Sequence, residues 1–366
     1  FRKISSSSPS SNSIRWEATR KCIKKNHPLF LPNGAIIVGR DSRQSGEEIM
    51  RNMIDELIRL GRDIIDCGIV PTPTVQFMVD KTEAGGGIII TASHNPIEWN
   101  GIKFLKKDGT FLSFEQCESL FQIFDKNEYI PDSEEVGMLW VEKNAIQKHV
   151  ISCVSLKCID LNRIQKRRFK VVVDAVNGGG AIALPMILDS LGCDVIEINC
   201  EPTGKFTRGT EPLPENLHDL KAAVLNHKAD VGFAVDPDAD RLAIVNEKGE
   251  AIGEEYTIVI VADGYIKDTS CKETFATNLS TSYALDKLAI KYGCNVIRSA
   301  VGEINVVNKM KELNLNLGGE GNGGVILKES HLGRDSLVAV TMVLNRMSQD
   351  DNALSKTHKK LPQFKI

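Results

Sequence analysis

The chain has 366 residues, 42% of them hydrophobic and 25% charged, and a formal net charge of −3. This composition is that of an ordinary soluble globular protein, and the length predicts two or three domains. The small net charge gives no electrostatic case for nucleic-acid binding, and no stretch approaches the roughly 18 to 20 uninterrupted apolar residues that a membrane span requires.

The first 33 residues are predicted to be irregular or disordered. Residues 1–25 hold a serine run, several Lys and Arg and a single acid, Glu17, before any apolar periodicity begins. Such a basic, acid-poor composition is typical of a disordered tail and also of an organelle transit peptide, and the tail is the favoured interpretation. Because the chain begins with Phe1, we expect material to be missing from its ends.

Residues 34–160 are predicted to form a first α/β domain. Residues 34–38 (GAIIV) predict a strand, and residues 47–60 carry apolar side chains at helical spacing. The turn between them holds Arg40 and Arg43. Open α/β sheets place their ligands at such strand ends, so both arginines are candidate anion-binding groups, although an isolated arginine is more often a solvated surface charge.

A polar loop in the same domain, Thr91–Pro96, places Ser93 directly after a predicted buried strand. The run Gly85–Ile90 predicts flexible backbone that leads into a β-branched strand, and Asn95-Pro96 ends that strand. The loop must therefore turn at Ser93, which becomes a candidate nucleophile. Ordinary turn chemistry explains the same residues equally well when the loop is considered alone.

Residues 161–265 are predicted to form a second α/β domain that carries a metal-binding loop. The loop Asp236–Arg241 lies between two apolar strands and has aspartate at alternate positions. Three carboxylates that converge on one point suit Mg²⁺ or Ca²⁺ and repel one another without a cation. An EF-hand is excluded because Arg241 stands where that loop needs glycine and the flanks are strands. A solvated acidic turn remains an alternative.

Residues 266–350 are predicted to form a third α/β domain, followed by a polar tail over 351–366. Its predicted elements are a strand over 274–278, a helix over 282–292, a strand over 295–297 and a helix over 304–313. Strands that alternate with helices of about 10 to 15 residues favour parallel or mixed sheets covered on both faces. The prediction is therefore an α/β fold of three successive domains with mixed sheets.

Three motifs resemble those of the α-D-phosphohexomutases in order and approximate spacing. They are the serine loop Thr91–Pro96, the aspartate loop Asp236–Arg241 and the glycine-rich segment Gly319–Gly324. That family includes phosphoglucomutases, phosphomannomutases and phosphoglucosamine mutases, and its members have four domains around a central cleft. The resemblance spans about residues 34 to 347. It implies that this chain holds the first three domains around a shared cleft and lacks the fourth domain and the usual first strand.

The resemblance also implies roles for individual residues. The implied catalytic residues are Ser93 (the phosphoserine), His94, Lys103 (the general acid/base), Arg40 and Arg241. The implied Mg²⁺ ligands are Asp236, Asp238, Asp240 and Ser93. The implied sugar-binding residues are Gly302, Glu303, Glu320 and Asn322.

The implied activity is that of a phosphohexomutase, which interconverts a hexose or hexosamine 1-phosphate and 6-phosphate. Phosphoserine gives its group to the sugar monophosphate, and a hexose 1,6-bisphosphate forms, reorients and returns the other phosphate. Serine is a weak nucleophile at neutral pH, so the return step needs a base. Lys103 can serve if its pKa is lowered, which we predict from burial beside Arg40 and Arg241. The partner is thus a small sugar phosphate, and the sequence does not indicate an oligomeric state.

Two departures from the family pattern leave an alternative function open. The common sugar loop reads Gly-Glu-x-Ser-Gly-His, whereas Asn322 and Gly324 stand at the serine and histidine positions here. The Arg-x-Ser-Gly-Thr-type loop that clamps the distal phosphate does not follow Arg334, and the near match Arg208–Pro212 is interpreted as structural. The alternative is a phosphosugar-binding or metal-binding fragment without turnover between isomers.

The cysteines bear on the cellular compartment. Nine are scattered along the chain, with no C-x-x-C and no metal-ligand spacing. We interpret them as reduced thiols, which favours a cytoplasmic protein.

Overall fold

The computed structural model describes residues 34–125 and 133–364, so the predicted irregular segment 1–33 lies outside the described residues. Within these ranges the strands form three sheets, one of five strands and two of four. The α/β class with three mixed-sheet domains is therefore confirmed. Over the same ranges, none of the helices is both long enough and apolar enough to cross a membrane.

The first sheet has the strand order β4-β3-β1-β2-β5, in which β4 alone runs antiparallel to its neighbour. Its strands are β1 (Ile36–Arg40), β2 (Ile64–Ile69), β3 (Gly86–Ile90), β4 (Ile102–Leu105) and β5 (Leu139–Val141). Its helices are α1 (Gln44–Arg59), α2 (Thr72–Lys81) and α3 (Phe114–Asp125). The helix α1 buries Met50, Met53, Ile54 and Leu57. Their spacing of three and four residues gives the helix one apolar face towards the sheet.

The second sheet has the order β7-β6-β8-β9 and follows two helices that connect it to the first. The connecting helices are α4 (Ala145–Val154) and α5 (Leu161–Arg167). The strands are β6 (Lys170–Asp174), β7 (Asp194–Ile198), β8 (Val231–Val235) and β9 (Leu242–Asn246), and the helices are α6 (Ala183–Ser190) and α7 (His218–His227). Every residue of β8 and β9 is buried, as expected for continuous apolar strands covered on both faces.

The third sheet has the order β11-β10-β12-β13. Its strands are β10 (Thr274–Asn278), β11 (Asn295–Ser299), β12 (Leu317–Gly319) and β13 (Val325–Leu327). The helices are α8 (Glu255–Thr269), α9 (Ala284–Tyr292), α10 (Glu303–Glu312), α11 (Ser336–Ser348) and α12 (Leu354–Lys360). The helix α11 is buried along its whole length and packs on α4, α5, α6 and α8, so it joins the core of the third unit to that of the second.

The three sheets repeat one strand order. In each, the first strand lies between the second and the third, and the fourth pairs antiparallel with the third. The connection between the third and fourth strands carries the serine loop in the first sheet, the aspartate loop in the second and the glycine-rich loop in the third. All three loops thus leave the carboxyl end of a buried parallel strand, the usual edge for ligands in such sheets.

Two helices do not follow the predicted domain limits. The limits themselves are not tested and stay predictions. The cut near residue 265 falls inside α8, which packs against α9 and α11 and so belongs with the third sheet. The segment 351–366, predicted as a polar tail, contains α12, and Leu354 at the start of this helix and Leu361 directly after it are buried. Its helical part is short and mostly polar, so periodicity alone does not reveal it.

Candidate active site

The serine loop and the aspartate loop meet at their tips. The Ser93 hydroxyl donates a hydrogen bond of 3.3 Å to Oδ2 of Asp236, and both residues are buried. The Ser93 backbone is left-handed, with φ of 50°, and its N–H donates to the Thr91 hydroxyl at 2.8 Å. Such a conformation is strained for a residue other than glycine, so the surrounding contacts must hold it. The predicted neighbourhood of Ser93 and the metal loop is therefore present in the structure.

Arg43 supplies most of the contacts that hold the serine loop. Its side chain is fully buried and donates to four carbonyl oxygens of the loop region, those of Ser93 (2.6 Å), Asn95 (2.7 Å), Pro96 (2.5 Å) and Trp99 (3.0 Å). Its Nε pairs with Asp41 at 2.9 Å. The fixed fork of a guanidinium is suited to satisfying several acceptors at once. Arg43 thus sets the shape of the loop.

Arg40, predicted to attend the phosphoryl group, lies at the end of β1. Among the described residues its polar contacts are with the carbonyl oxygens of Asp41 (3.1 Å) and Arg43 (3.5 Å) and with Glu47 (3.8 Å). Burial lowers the pKa of Arg40, and Glu47 and Asp41 oppose that effect. None of these contacts is with the serine loop Thr91–Pro96, and Arg40 is paired across the sheet with Ile90, directly before that loop.

The aspartate loop brings three buried carboxylates together. One oxygen from each of Asp236, Asp238 and Asp240 lies within 4.8 Å of the others. Burial, together with the charges of Asp240 and Asp238, raises the pKa of Asp236 well above its ordinary value. Within the described ranges, Oδ1 of Asp238 and Oδ1 of Asp240 are buried and accept no hydrogen bond. Converging carboxylate oxygens without hydrogen bonds fit a hard divalent cation, and a cationic group near them is Nε of Arg241, 3.8 Å from Oδ1 of Asp240.

The other oxygens of two of these aspartates are fixed by donors from distant segments. Oδ2 of Asp238 accepts from the Thr72 hydroxyl at 2.8 Å and from Nζ of Lys103 at 2.7 Å. Oδ2 of Asp240 accepts from Arg334 at 2.6 Å. Each of the two carboxylates therefore has one oxygen bound to the protein and one oxygen available for a cation.

The expected lowering of the Lys103 pKa is wrong. Burial does lower this pKa, but the charges of Asp238 and Asp240 outweigh burial and leave it above its ordinary value. The ammonium is 2.7 Å from Asp238 and 3.9 Å from Asp240, whereas burial beside Arg40 and Arg241 was expected. Neighbouring carboxylates stabilise the charged form of lysine. Lys103 therefore carries its proton at neutral pH.

Arg241 and His94 complete the side of the site near Ser93. One Arg241 nitrogen donates to Nδ1 of His94 at 3.2 Å, and another pairs with Glu211 at 2.9 Å. Burial and the charge of Arg241 lower the pKa of His94, so its imidazole is neutral at pH 7. Because Nδ1 accepts from Arg241, the ring proton lies on Nε2. Nδ1 is also 3.4 Å from the Ser93 hydroxyl.

The segment Arg208–Pro212, interpreted from sequence as structural, packs against these loops. The Thr210 hydroxyl donates to the carbonyl oxygen of His94, and Glu211 pairs with Arg241. Arg208 pairs with Asp174 at 2.8 Å and donates to the carbonyl oxygen of Val235 at 2.7 Å, directly before the aspartate loop. These contacts are consistent with a supporting role.

The predicted sugar-binding residues also lie together. Glu320 is buried, and its Oε1 accepts from Asn278 at 2.6 Å and from the Gly302 N–H at 3.2 Å. Asn322 donates to Oε2 of Glu320 at 3.5 Å, a weak contact. Glu303 begins α10 and accepts from Gln76 at 3.2 Å. Burial raises the pKa of Glu303 to about 7, although Arg334 opposes the shift.

Sequence reasoning missed the residue that links these groups, Arg334. It pairs with Glu320 at 2.8 Å, with Glu303 at 3.1 Å and with Asp240 at 2.6 Å. The signal available was an arginine directly before an aspartate that caps an apolar helix, but its partners lie 14 to 94 residues away. Thr72 and Gln76 escaped notice for the same reason.

A second buried polar cluster lies beneath the N-terminus of α11. Oδ2 of Asp335 accepts from His149 at 2.9 Å and from His331 at 3.1 Å, and Thr74 contacts the other nitrogen of His149 at 3.0 Å. Oδ1 of Asp335 caps α11 by accepting from the Leu337 N–H at 2.8 Å. Cys153 lies close enough to complete a possible ligand group. The hydrogen bonds already account for most of these polar atoms, so the cluster is a packed network.

Three protein-family models, one for each of three consecutive domains, match the sequence of the chain. These are the α/β/α domains I, II and III of phosphoglucomutase/phosphomannomutase, over residues 17–130, 147–249 and 253–364. The chain is 38% identical over 333 residues to a phosphoglucomutase/phosphomannomutase of Thermococcus kodakarensis, covering 90% of this chain and 72% of that protein. It is 33% identical over 337 residues to a phosphoglucosamine mutase of Clostridioides difficile, covering 90% of this chain and 73% of that protein.

Solved structures show the same fold. A crystal structure of a phosphoglucomutase/phosphomannomutase family protein from Burkholderia thailandensis superposes with a TM-score of 0.86 and 24% identity, over 99% of this chain and 78% of that one. A putative phosphomannomutase from Thermus thermophilus gives a TM-score of 0.83 and 22% identity, over 95% of this chain and 78% of that one.

Proposed function

The chain belongs to the phosphoglucomutase/phosphomannomutase family, and on that basis we propose that it is a phosphohexomutase that interconverts the 1-phosphate and 6-phosphate of a hexose or hexosamine. The observation that carries this proposal is the position of the Ser93 hydroxyl. It lies 3.3 Å from Asp236, which belongs to a buried group of three aspartates. A hydroxyl beside a cation site and several cationic side chains is the arrangement that phosphoryl transfer needs.

Ser93 is proposed to act as phosphoserine, with Asp236, Asp238 and Asp240 as the protein ligands of Mg²⁺. When bound, Mg²⁺ supplies positive charge that offsets the charge on the phosphoryl oxygens. In the first half of the reaction, the bond from phosphorus to the Ser93 oxygen breaks as a bond to a sugar hydroxyl oxygen forms. In the second half, the bond from the other phosphorus of the hexose 1,6-bisphosphate to its sugar oxygen breaks as a bond to the Ser93 oxygen forms. In each half the attacking hydroxyl loses one proton and the leaving oxygen gains one, so the number of protons is unchanged. The serine regains the form in which it began.

Lys103 and Arg241 are proposed to serve the reacting oxygens. Lys103 is protonated at neutral pH because of Asp238 and Asp240, so it suits the acid half of the proton exchange, in which the Ser93 oxygen leaves phosphorus. Arg241 lies at the loop tips, and its Nε is buried without a hydrogen-bond partner among the described residues. That N–H is available to a phosphoryl oxygen.

The sugar is proposed to bind at the third loop, through the carboxylates of Glu303 and Glu320, the Asn322 amide and the Gly302 backbone. Carboxylates accept hydrogen bonds from hydroxyls, so these residues suit a polyol ring. Glucosamine and mannose phosphates are the favoured substrates, and a competition assay over glucose, mannose and glucosamine phosphates identifies the preferred one. A cytoplasmic setting agrees with the free cysteines of the described residues.

The experiment follows product and phosphoserine separately. The chain is incubated with a hexose 1-phosphate, Mg²⁺ and trace hexose 1,6-bisphosphate, and release of the 6-phosphate is measured with time. Intact mass reports whether about 80 Da of phosphate resides on the protein. We expect catalytic release and a phosphate that Ser93→Ala abolishes, while Ser119→Ala, an exposed helix serine, changes neither. Phosphorylation at Ser93 without isomer release would contradict the mutase and favour a binding or slowly hydrolysing protein.

A further inference from the structure

Arg334 uses each of its guanidinium nitrogens for a different carboxylate. Nε donates to Glu303 at 3.1 Å, one terminal nitrogen donates to Glu320 at 2.8 Å, and the other donates to Asp240 at 2.6 Å. The residue is only 9% exposed. Its pKa is raised well above the ordinary value because Asp240, Glu303 and Glu320 outweigh the effect of burial. Arg334 is thus a permanently charged group with every guanidinium nitrogen bound to a carboxylate.

The three carboxylates belong to both halves of the proposed site. Asp240 lies in the aspartate loop between β8 and β9, whereas Glu320 lies in the loop between β12 and β13 and Glu303 at the start of α10. Arg334 binds Oδ2 of Asp240, and Oδ1 of the same carboxylate is buried without a hydrogen bond among the described residues, with Nε of Arg241 at 3.8 Å. Arg334 therefore orients Asp240 so that Oδ1 of this aspartate is available to a cation. It also fixes Glu320, a carboxylate expected to bind sugar hydroxyls.

The glycine-rich loop leaves room for this side chain. A Cβ placed on Gly324 would lie 2.3 Å from Cδ of Arg334 and 2.9 Å from its Cγ. Real Cβ atoms are not found at such distances, so any other residue at position 324 would displace the arginine. Gly324 stands where the common family loop has histidine, so the loop and the arginine are matched to each other in this chain.

We propose that Arg334 is a positioning residue that couples cation binding to sugar-phosphate binding. Arg334 already joins Asp240 to Glu303 and Glu320, so a cation that restrains Asp240 also restrains the two glutamates through the guanidinium. The second ligand then binds to a site whose ordering cost has already been met, so each ligand strengthens the binding of the other. This inference rests on the proposed function for the identity of the two ligands, but it concerns binding and not turnover.

The test measures the coupling directly. All variants are made on a Ser93→Ala background, so that no phosphoryl transfer occurs during titration. Binding of Mn²⁺, as the probe for the divalent cation, is measured by electron paramagnetic resonance with and without saturating glucose 6-phosphate. The coupling factor is the ratio of the two dissociation constants. In the background protein we expect glucose 6-phosphate to tighten Mn²⁺ binding by about fivefold or more.

Two variants perturb Arg334 from different sides. Arg334→Lys keeps the charge but loses the fork, and Gly324→Ala displaces the arginine without removing any charged group. We expect the coupling factor to fall about threefold or more in both. Direct attraction between cation and phosphate is common to all the proteins, so it does not produce this difference. The Mn²⁺ affinity alone is expected to weaken as well, but a merely structural role would weaken both constants and leave their ratio unchanged.

Arg346→Lys is the matched control. Arg346 lies on α11, is 3% exposed and pairs with Asp263 and Asp350, both away from the three loops. We expect its coupling factor to equal that of the background protein. Thermal unfolding and near-ultraviolet circular dichroism verify that each variant is folded. If Arg334→Lys does not fold, Gly324→Ala still provides the test.

The outcomes separate this inference from the proposed function. A coupling factor that is unchanged in folded Arg334→Lys and Gly324→Ala proteins overturns the inference, as does a background protein without coupling. Loss of coupling in both variants supports it, even if the wild-type chain shows no turnover between isomers. Turnover by the wild type together with coupling that is independent of Arg334 would leave the proposed function intact and the inference refuted.

Discussion

Two arginines, Arg43 and Arg334, connect the loops of the site, and each uses all three of its guanidinium nitrogens. Arg43 binds the carbonyl oxygens of the serine loop, and Arg334 binds carboxylates of the other two loops. Neither side chain needs to touch phosphorus for its loss to matter. At the scale of single residues, the site depends on buried cations as much as on the hydroxyl of Ser93.

Replacing Arg43 by methionine is expected to destabilise the chain and to impair phosphorylation of Ser93. Asp41 would be left buried without its cationic partner, and breaking a buried pair in this way typically costs about 3 to 5 kcal/mol. Chemical unfolding measures the stability, and intact mass measures the phosphorylation rate. Arg59→Met is the control because Arg59 forms an exposed ion pair with Glu56, for which we expect less than about 1 kcal/mol. Equal losses in the two variants would contradict the proposed clamp.

Replacing Glu303 by glutamine is expected to flatten the pH dependence of stability. Its pKa is raised from 4.5 to about 7, so between these values the folded state holds a proton that the unfolded state has released. The free energy of unfolding therefore falls as pH rises through this window, by at most about 1.4 kcal/mol per pH unit from this group. Denaturant titrations from pH 4.5 to 7 check the slope. Glu118→Gln, at an exposed position, is the control and should reproduce the wild-type slope. A wild-type slope in Glu303→Gln would contradict the assignment of this pH dependence to Glu303.

At the scale of elements, α11 depends on its first turn. Asp335 caps the helix with one oxygen and accepts from two buried histidines with the other, whereas Asp160 caps α5 at an exposed position. Both residues are helix N-caps, but only one supports a buried network. The two positions therefore separate the effect of capping from the effect of burial.

Replacing Asp335 by alanine is expected to lower the free energy of unfolding by about 2 to 5 kcal/mol, because it removes a cap and leaves His149 and His331 without an acceptor. Asp160→Ala should cost only about 1 kcal/mol, the usual effect of a lost cap. Urea unfolding of the two variants side by side gives the comparison. Similar costs would show that the histidine network adds nothing to capping.

The sequence predicts secondary-structure elements better than it predicts contacts between distant residues. Runs such as Ile36–Val38 and Val231–Val235 predicted their strands because a buried parallel strand must be continuously apolar. The loop residues Ser93 and Asp236 were found because each follows such a strand. The helix α8 is apolar nearly all round, so its pattern does not reveal which sheet it covers. The partners of Arg334 and the carboxylates around Lys103 follow from chain crossings, and no local pattern encodes those.

At the scale of the whole molecule, the aspartate cluster ties the three domains together. Asp238 is bound by Thr72 and Lys103 from the first domain, and Asp240 by Arg334 from the third. The repulsion among the three carboxylates therefore acts at the place where the domains meet. A cation bound there should stabilise the whole assembly and not one loop alone.

Mg²⁺ at 100 times its dissociation constant is expected to stabilise the chain by about 2.7 kcal/mol, and a chelator should reverse the gain. Asp236→Asn should raise the thermal midpoint of the chelator-treated protein, because it removes the buried carboxyl that Asp238 and Asp240 repel, and it should shrink the gain from Mg²⁺. Differential scanning fluorimetry with and without chelator measures both. Asp351→Asn, at a fully exposed carboxylate, serves as control. An undiminished gain in Asp236→Asn would argue against a cation at this cluster.

The repeated strand order has an evolutionary consequence. Three copies of one unit, each with its own hairpin, are what duplication of a single ancestral domain would produce, and under the proposed function the three hairpins carry a nucleophile, an ion site and a sugar site. Because each hairpin is supported by its own sheet, selection can alter one and spare the others. Arg334 is the exception, since it belongs to the third copy but holds the second, and a new sugar preference at the third hairpin has to evolve around it.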